Sequence, residues 1–304
     1  MHVIDGGYWR CRANTYIKQV GSWLTLMVIM GVGIGWATPK SHVLRFSDTP
    51  VIKPPASKDY FTLTKPIPTN SDSPRQAADH WLQRNGWKQL WPLLVPAGRK
   101  HLTFAGPPTQ RYLRLNADKS FYIWARRTEV DPYQLPYLEI SWGVERFPQG
   151  AALDLYGRND RSIAVMISFG PKVPSSGLRP SIPRALAFFW GATEKVGGLY
   201  SCIKPRQGPS NVRVMHCKYP HVKYIALRSG GAGGVHTDRV NLIEYFQRYF
   251  PQYWQKHHRV PPVVAVSFEA RSDKTASLSI ARLYAIAFTA SANGRVAVPV
   301  QEGK

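Results

Sequence analysis

Residues 119–126, Lys119-Ser-Phe-Tyr-Ile-Trp-Ala-Arg126, decide the fold class. Phe121, Ile123 and Ala125 fall on one side of an extended chain, and Tyr122 and Trp124 fall on the other. A period of two carried by aromatic and branched residues is the pattern of a β-strand. Arg111 to Leu115 alternates in the same way just before it. Strand-like runs recur beyond it at Tyr137–Glu145, Arg161–Phe169, Arg184–Trp190, Asn211–His216, Val222–Leu227, Val263–Phe268 and Thr275–Phe288, separated by Gly- or Pro-bearing turns. Many short strands at this spacing predict a mainly all-β chain, folded as a single jelly-roll-like β-sandwich.

Two short helices are expected beside the strands. Ser73-Pro74 offers an N-cap with proline at the first helical position, Ala78, Trp81 and Leu82 form an apolar stripe, and Gly86 ends it. Asp238 is expected to cap a second segment, in which Leu242, Tyr245, Phe246 and Tyr249 recur at helical spacing until Pro251.

The N-terminal part reads differently. Residues 23–37 carry no charge, follow Arg10, Arg12 and Lys18, and end with small residues at Gly35 and Ala37. A basic leader ahead of an apolar core is the pattern of a secretory signal. If Ala37 is not cut, the same stretch approaches the about 20 apolar residues of a membrane span and becomes an anchor. Residues 38–73 hold Pro39, Pro50, Pro54, Pro55, Pro66 and Pro68 among Ser, Thr and Lys, the composition of an extended linker. The expected organisation is a signal peptide or anchor at 1–37, a linker at 38–73, the sandwich at 74–290 and a tail at 291–304. The expected location is the periplasm, either in solution or facing it from the inner membrane.

The chain holds 40 Lys and Arg against 18 Asp and Glu, a formal charge of +22. Such a charge acts on association and solubility, not on the fold. The sequence has no zinc-finger spacing, helix-turn-helix pattern or dense Lys/Arg block, so nucleic acid is not the expected partner. Outside the cytoplasm the available polyanions are lipid head groups, lipopolysaccharide and acidic exopolysaccharide; a solvated basic surface is the alternative. Of three cysteines, Cys11 precedes the apolar stretch, whereas Cys202 and Cys217 lie in the exported part. They flank a Pro-Arg-Gln-Gly-Pro turn region, as two adjacent antiparallel strands would place them, and are expected to pair. A loop of that size stabilises by about 3 kcal/mol. Two thiols, or zinc with His216 and His221, are the alternatives, and no C-x-x-C pair supports the metal.

No G-x-S-x-G elbow, P-loop, H-E-x-x-H or EF-hand loop occurs. Arg228-Ser-Gly-Gly-Ala-Gly-Gly234 is either an anion-holding loop or a connector. Glu139 and Glu145 fall on one face of the strand that carries Trp142, but a glycosidase needs two converging carboxylates. Asp154, Asp160, Asp238, Glu244, Glu269 and Asp273 are further acidic candidates, with turn formation as the alternative role. Trp124, Trp142, Trp190, Tyr122, Tyr137 and Tyr200 are either a ring platform for sugar or core.

A series of short motifs runs through the sandwich region in a fixed order. It comprises Gly86-Trp87, Arg99-Lys100-His101-Leu-Thr-Phe, Val130-Asp131-Pro132 and Pro136-Tyr-Leu-Glu-Ile-Ser-Trp142-Gly-Val-Glu145. Asn159-Asp160, Phe188-Phe-Trp190-Gly191, Leu227-Arg228-Ser-Gly230, Arg239 with Glu244-Tyr245, and Asp273-Lys-Thr275 follow. The series resembles the bacterial family called domain of unknown function 3047 over about residues 80–290. The resemblance implies a β-rich, jelly-roll-like domain of an exported protein and no established activity. Asn159-Asp160 stands where the family leads one to expect two acidic residues, and Ala164 lies near an expected arginine. Arg271-Ser-Asp273-Lys-Thr275 replaces an aspartate-rich stretch, and Tyr284-Ala285 an expected Gly-Asp.

The leading expectation is an exported, non-catalytic β-sandwich that binds carbohydrate or another anionic envelope component. A polysaccharide hydrolase or lyase is the second reading, and an envelope structural or assembly protein the third. Catalytic residues are not assigned, and neither cofactor nor metal is expected. The candidate ligand-binding residues are Trp142, Glu145, Asp160, Trp190, Arg228, Arg239, Glu244 and Asp273.

Overall fold

The computed structural model describes residues 43–45, 74–90, 99–107, 110–174, 181–201 and 220–292. The apolar stretch 23–37, Cys202, Cys217 and the strand expected at Asn211–His216 lie outside the described residues. No helix among the described residues is long and apolar enough to cross a membrane.

Two sheets pack as a jelly-roll-like sandwich. The front sheet has the order β10 (Val235–Asn241), β6 (Tyr137–Arg146), β12 (Leu278–Thr289), β4 (Tyr112–Asp118) and β3 (Arg99–Ala105). A short strand, β1 (Val43–Arg45), pairs with Ala285–Ala287 of β12, so part of the segment expected to be linker carries strand backbone. The back sheet has the order β2 (Trp87–Leu90), β5 (Phe121–Val130), β11 (Val263–Arg271), β7 (Arg161–Val173), β8 (Ile182–Gly191) and β9 (Val222–Ser229). Among the described residues all strand pairings are antiparallel except β8 with β9.

Alternation places the core between the sheets. Leu113, Leu115 and Ala117 of β4 and Leu138, Ile140 and Trp142 of β6 face inward, fully buried. They meet Tyr122 and Trp124 of β5, Val165 and Ile167 of β7, Phe188 of β8 and Phe268 of β11. Glu139, Ser141 and Glu145, one residue out of step, therefore point to the outer face of the front sheet.

The edges are closed by different means. Helix α1 (Pro74–Arg84) buries Ala77, Ala78, Trp81 and Leu82 and packs beside β2 and β3, with Trp81 edge-on to Phe104 at 5.4 Å. Gly86, at φ +80, ends its turn as expected. The second helix, α2 (Leu242–Tyr249), corrects one expectation: Asp238 lies inside β10, and Asn241 is the cap. Its Oδ1 accepts from the Ile243 and Glu244 amides, while its Nδ2 donates to the Glu244 carboxylate. Pro251 does stop α2, but it also opens a third helix, α3 (Pro251–His257).

Candidate functional site

The outer face of the front sheet gathers polar and aromatic side chains from four adjacent strands, β10, β6, β12 and β4. Register opposes Arg114 of β4 to Arg282 of β12. Between β6 and β12 the register slips at Glu145, since Val144 faces Ala281 while Arg146 faces Ile280. This irregularity brings the Glu145 carboxylate between the two guanidiniums. Arg114 Nη2 donates to Oε2 at 2.7 Å and Arg282 Nε to Oε1 at 2.7 Å. Burial works to raise the Glu145 pKa, but the two arginines outweigh it and hold the carboxyl below its usual range.

Aromatic rings adjoin this charge cluster. A second slip separates Leu283 from Ala285, and Tyr284 stays on the outer face with Ile280 and Arg282. Its ring meets that of Tyr112 with centroids 5.0 Å apart, and the Arg282 guanidinium lies 5.5 Å from the Tyr112 ring centre. Both tyrosines are partly exposed. Gly106, at φ +89 in the β3–β4 turn, makes room for this ring; a Cβ there would come within 2.9 Å of Tyr112. Further along the face, Arg239 Nε donates to Glu139 at 3.0 Å, and the Ser141 and Thr237 hydroxyls bond at 2.8 Å. Small Ala285 and Ala287 lie across from Ser141 and Glu139.

Trp142, Trp190 and Arg228 come together elsewhere, at the edge where β9 of one sheet approaches β10 of the other. Asp238 Oδ2 accepts from both Trp142 Nε1 and Arg228 Nε at 2.7 Å. Trp190 donates to the Gly230 carbonyl at 2.7 Å, and its ring lies 6.2 Å from Trp142 and 5.2 Å from His236. Trp142 is 0% and Trp190 2% exposed, so neither presents a face to sugar. This constellation clasps the two sheets, and the glycine-rich loop that follows Arg228 seats it: the Gly234 carbonyl would lie 2.5 Å from a Cβ on Gly143. Trp124 and Tyr122 are core as well.

Asp160 and Asp273 hold the β11–β12 turn. The buried Asp160 accepts from the Lys274 and Thr275 amides at 3.1 and 2.6 Å and from the Thr275 hydroxyl at 2.7 Å. Burial raises the Asp273 pKa, but Arg271 and Lys274 more than offset it and lower the net value. Glu244 belongs to the α2 cap. Of the residues singled out from sequence, Glu145 and Arg239 share the outer front face, Trp142, Trp190 and Arg228 share the clasp, and Asp160 and Asp273 share the turn.

Arg114, Arg282, Tyr112 and Tyr284 were not among the expected residues. The signal available for them was the alternation of β4 and β12, which sets them out of step with the leucines. A second unforeseen group lies on the back sheet, where Arg161 Nε donates to Glu269 Oε1 at 2.5 Å with both side chains almost wholly buried. Arg161 Nη2 also donates to the Tyr224 hydroxyl at 3.1 Å. Burial works against charge on Arg161, yet Glu269 more than compensates and raises its pKa. Burial raises the Tyr224 hydroxyl, in spite of Arg161. Glu269 opposes Ala164 across the β11–β7 ladder. Among the described residues no three His, Cys, Asp or Glu side chains cluster to hold a metal ion.

A comparison with curated proteins returns no match. Among solved structures, endoglucanase 3 of Trichoderma harzianum, from glycoside hydrolase family 12, aligns at 10% identity and a TM-score of 0.36, over 66% of this chain and 89% of that one. The xyloglucanase domain of NopAA, a type three effector of Sinorhizobium fredii solved with cellobiose, aligns at 12% identity and a TM-score of 0.31, over 66% and 95%. Likeness at this level carries no weight for function. The model of the protein family of unknown function DUF3047 matches residues 98–287, from β3 through β12, and the chain belongs to that family.

Proposed function

We propose that the protein is an exported, non-catalytic carbohydrate-binding β-sandwich whose ligand face is the outer surface of the front sheet. The observation that carries this reading is the Tyr112–Tyr284 ring pair, partly exposed and bordered by the Arg114–Glu145–Arg282 cluster. Sugar rings stack on aromatic faces while charged groups at the border take their hydroxyls or carboxylates. The net charge of +22 favours acidic glycans over neutral ones. The basic leader and the apolar stretch 23–37 support export.

A polysaccharide-cleaving role is the weaker reading. Glu139 and Glu145 stand six positions apart on β6, which separates them by roughly 20 Å along the strand. Glycosidases place their two carboxyl groups about 5–10 Å apart. Glu145 is also held ionised by two arginines, the opposite of what a general acid needs. An assembly role in the envelope draws only on the linker and the charge.

The test is an array of neutral and uronate-bearing glycans probed with the full chain and with Arg282→Gln. Retention of uronate glycans by the wild type, reduced by the substitution and unaccompanied by cleavage, is expected. No retention of any glycan would overturn the reading.

A further inference from the structure

A second cationic group lies at the other end of β8 and β9 from the Trp142–Trp190 clasp. Parallel pairing of Ala185 with Val222 and of Leu186 with Lys223 keeps Arg184 and Lys223 at the same end of the back sheet. Helix α3 and its N-cap residue Phe250 lay aromatic rings against them. The Arg184 guanidinium is 4.3 Å from the centre of the Tyr253 ring, and the Lys223 ammonium is 5.9 Å from that of Phe250. The His257 ring lies 4.2 Å from that of Tyr253. His221, immediately before β9, is close enough to both cations that they lower its pKa, after the larger effect of its own burial. Burial lowers Lys223 as well.

Neither Arg184 nor Lys223 forms an ion pair with a carboxylate among the described residues. The sequence explains why. Between Arg161 and Thr237 the chain contains a single acidic residue, Glu194, and eleven Lys and Arg. Glu194 is committed elsewhere, accepting from the Leu153 and Thr193 amides. A cation held against an apolar ring, partly out of water and without a carboxylate partner, is better satisfied when an anion joins it. The group is thus short of negative charge by its own composition.

We propose that this end of the sandwich binds a phosphate group, with Arg184 and Lys223 as the contacting cations and His221 as a third donor. A planar guanidinium and a compact ammonium suit an oxyanion with several oxygens and more than one charge. The rings of Tyr253 and Phe250 keep both side chains extended beneath it. This site is separate from the tyrosine face on the front sheet and stands or falls independently of glycan binding.

The test titrates the full chain with inorganic phosphate while following the His221 imidazole by NMR. In parallel, the chain is sedimented with vesicles of phosphatidylglycerol or of phosphatidylcholine. A saturable shift, or selective retention on phosphatidylglycerol, is expected to weaken at least tenfold in both Arg184→Gln and Lys223→Gln. Lys88→Gln, which removes the same charge from the exposed edge strand β2, is expected to bind as the wild type does. A response to phosphate assigns the site to soluble phosphate groups, and a response to vesicles alone assigns it to a lipid head group. The proposal fails if neither probe responds, or if Lys88→Gln loses as much as the two site variants.

Discussion

Replacing Glu269 by Gln tests the physical reading of the back sheet most severely. The Arg161–Glu269 pair is 5% and 1% exposed at its side chains, with Nε and Oε1 2.5 Å apart. Glutamine keeps the shape but leaves the guanidinium without its counter-charge in a site water hardly reaches. Breaking a buried pair in this way costs about 3–5 kcal/mol. For a domain of this size each kcal/mol moves the melting temperature by about 2–4 °C, so a fall of roughly 6–20 °C is expected. The double substitution Arg161→Met with Glu269→Leu removes both charges and fills the space with apolar atoms. Such replacements are often neutral, so the double variant is expected to regain at least about 2 kcal/mol over Glu269→Gln. Urea unfolding of each full-length variant, followed by the fluorescence of core tryptophans such as Trp124, supplies the comparison. A loss under about 1 kcal/mol in the single variant, or a double variant no better than the single one, would refute the reasoning.

Two further outcomes concern the turn and the front face. Asp160→Ala removes the acceptor for the Lys274 and Thr275 amides, and a loss of about 2–3 kcal/mol in urea unfolding is expected with glycan retention unchanged; a variant as stable as wild type would return Asp160 to the candidate ligands. Glu145 and Asp273 have folded pKa values depressed below their unfolded ones, so their stabilisation is complete above the ordinary carboxylate range and is lost as pH falls through the folded values. Melting temperature is therefore expected to fall between about pH 5 and pH 2, with a shallower decline in Glu145→Gln; identical acid limbs would contradict the role given to the two arginines.

The sandwich is legible because its core strands carry alternating runs long enough to show two faces. Tyr122 and Trp124 on β5 announce two faces, and the same rhythm on β6 and β7 repeats the message. β10 was missed because its sequence, Val-His-Thr-Asp-Arg-Val-Asn, is polar on both faces of an edge strand, so Asp238 looked like a cap rather than a buried-edge acceptor. The register slip at Glu145 is equally invisible in a linear pattern, since it depends on the neighbouring strand, yet it completes the front-face cluster. Trp142 and Trp190 illustrate the converse. Both were visible as strand aromatics, but only the packing of the two sheets reveals that their indole N–H groups serve Asp238 and Gly230 inside the clasp. The structural roles of Asp160 and Asp273 show only in the hydrogen bonds and ion pairs of the turn they hold.

The most direct measurement of the binding claim is a calorimetric titration of a uronate hexasaccharide into the full chain and into Tyr112→Ala and Tyr284→Ala. Loss of one ring is expected to weaken binding about 2- to 10-fold, as the 0.5–1.5 kcal/mol of a stacked aromatic contact implies, and loss of both rings about 5- to 100-fold, with melting temperatures close to wild type. Wild-type affinity in the doubly substituted protein would contradict the assignment of the front sheet as the ligand face.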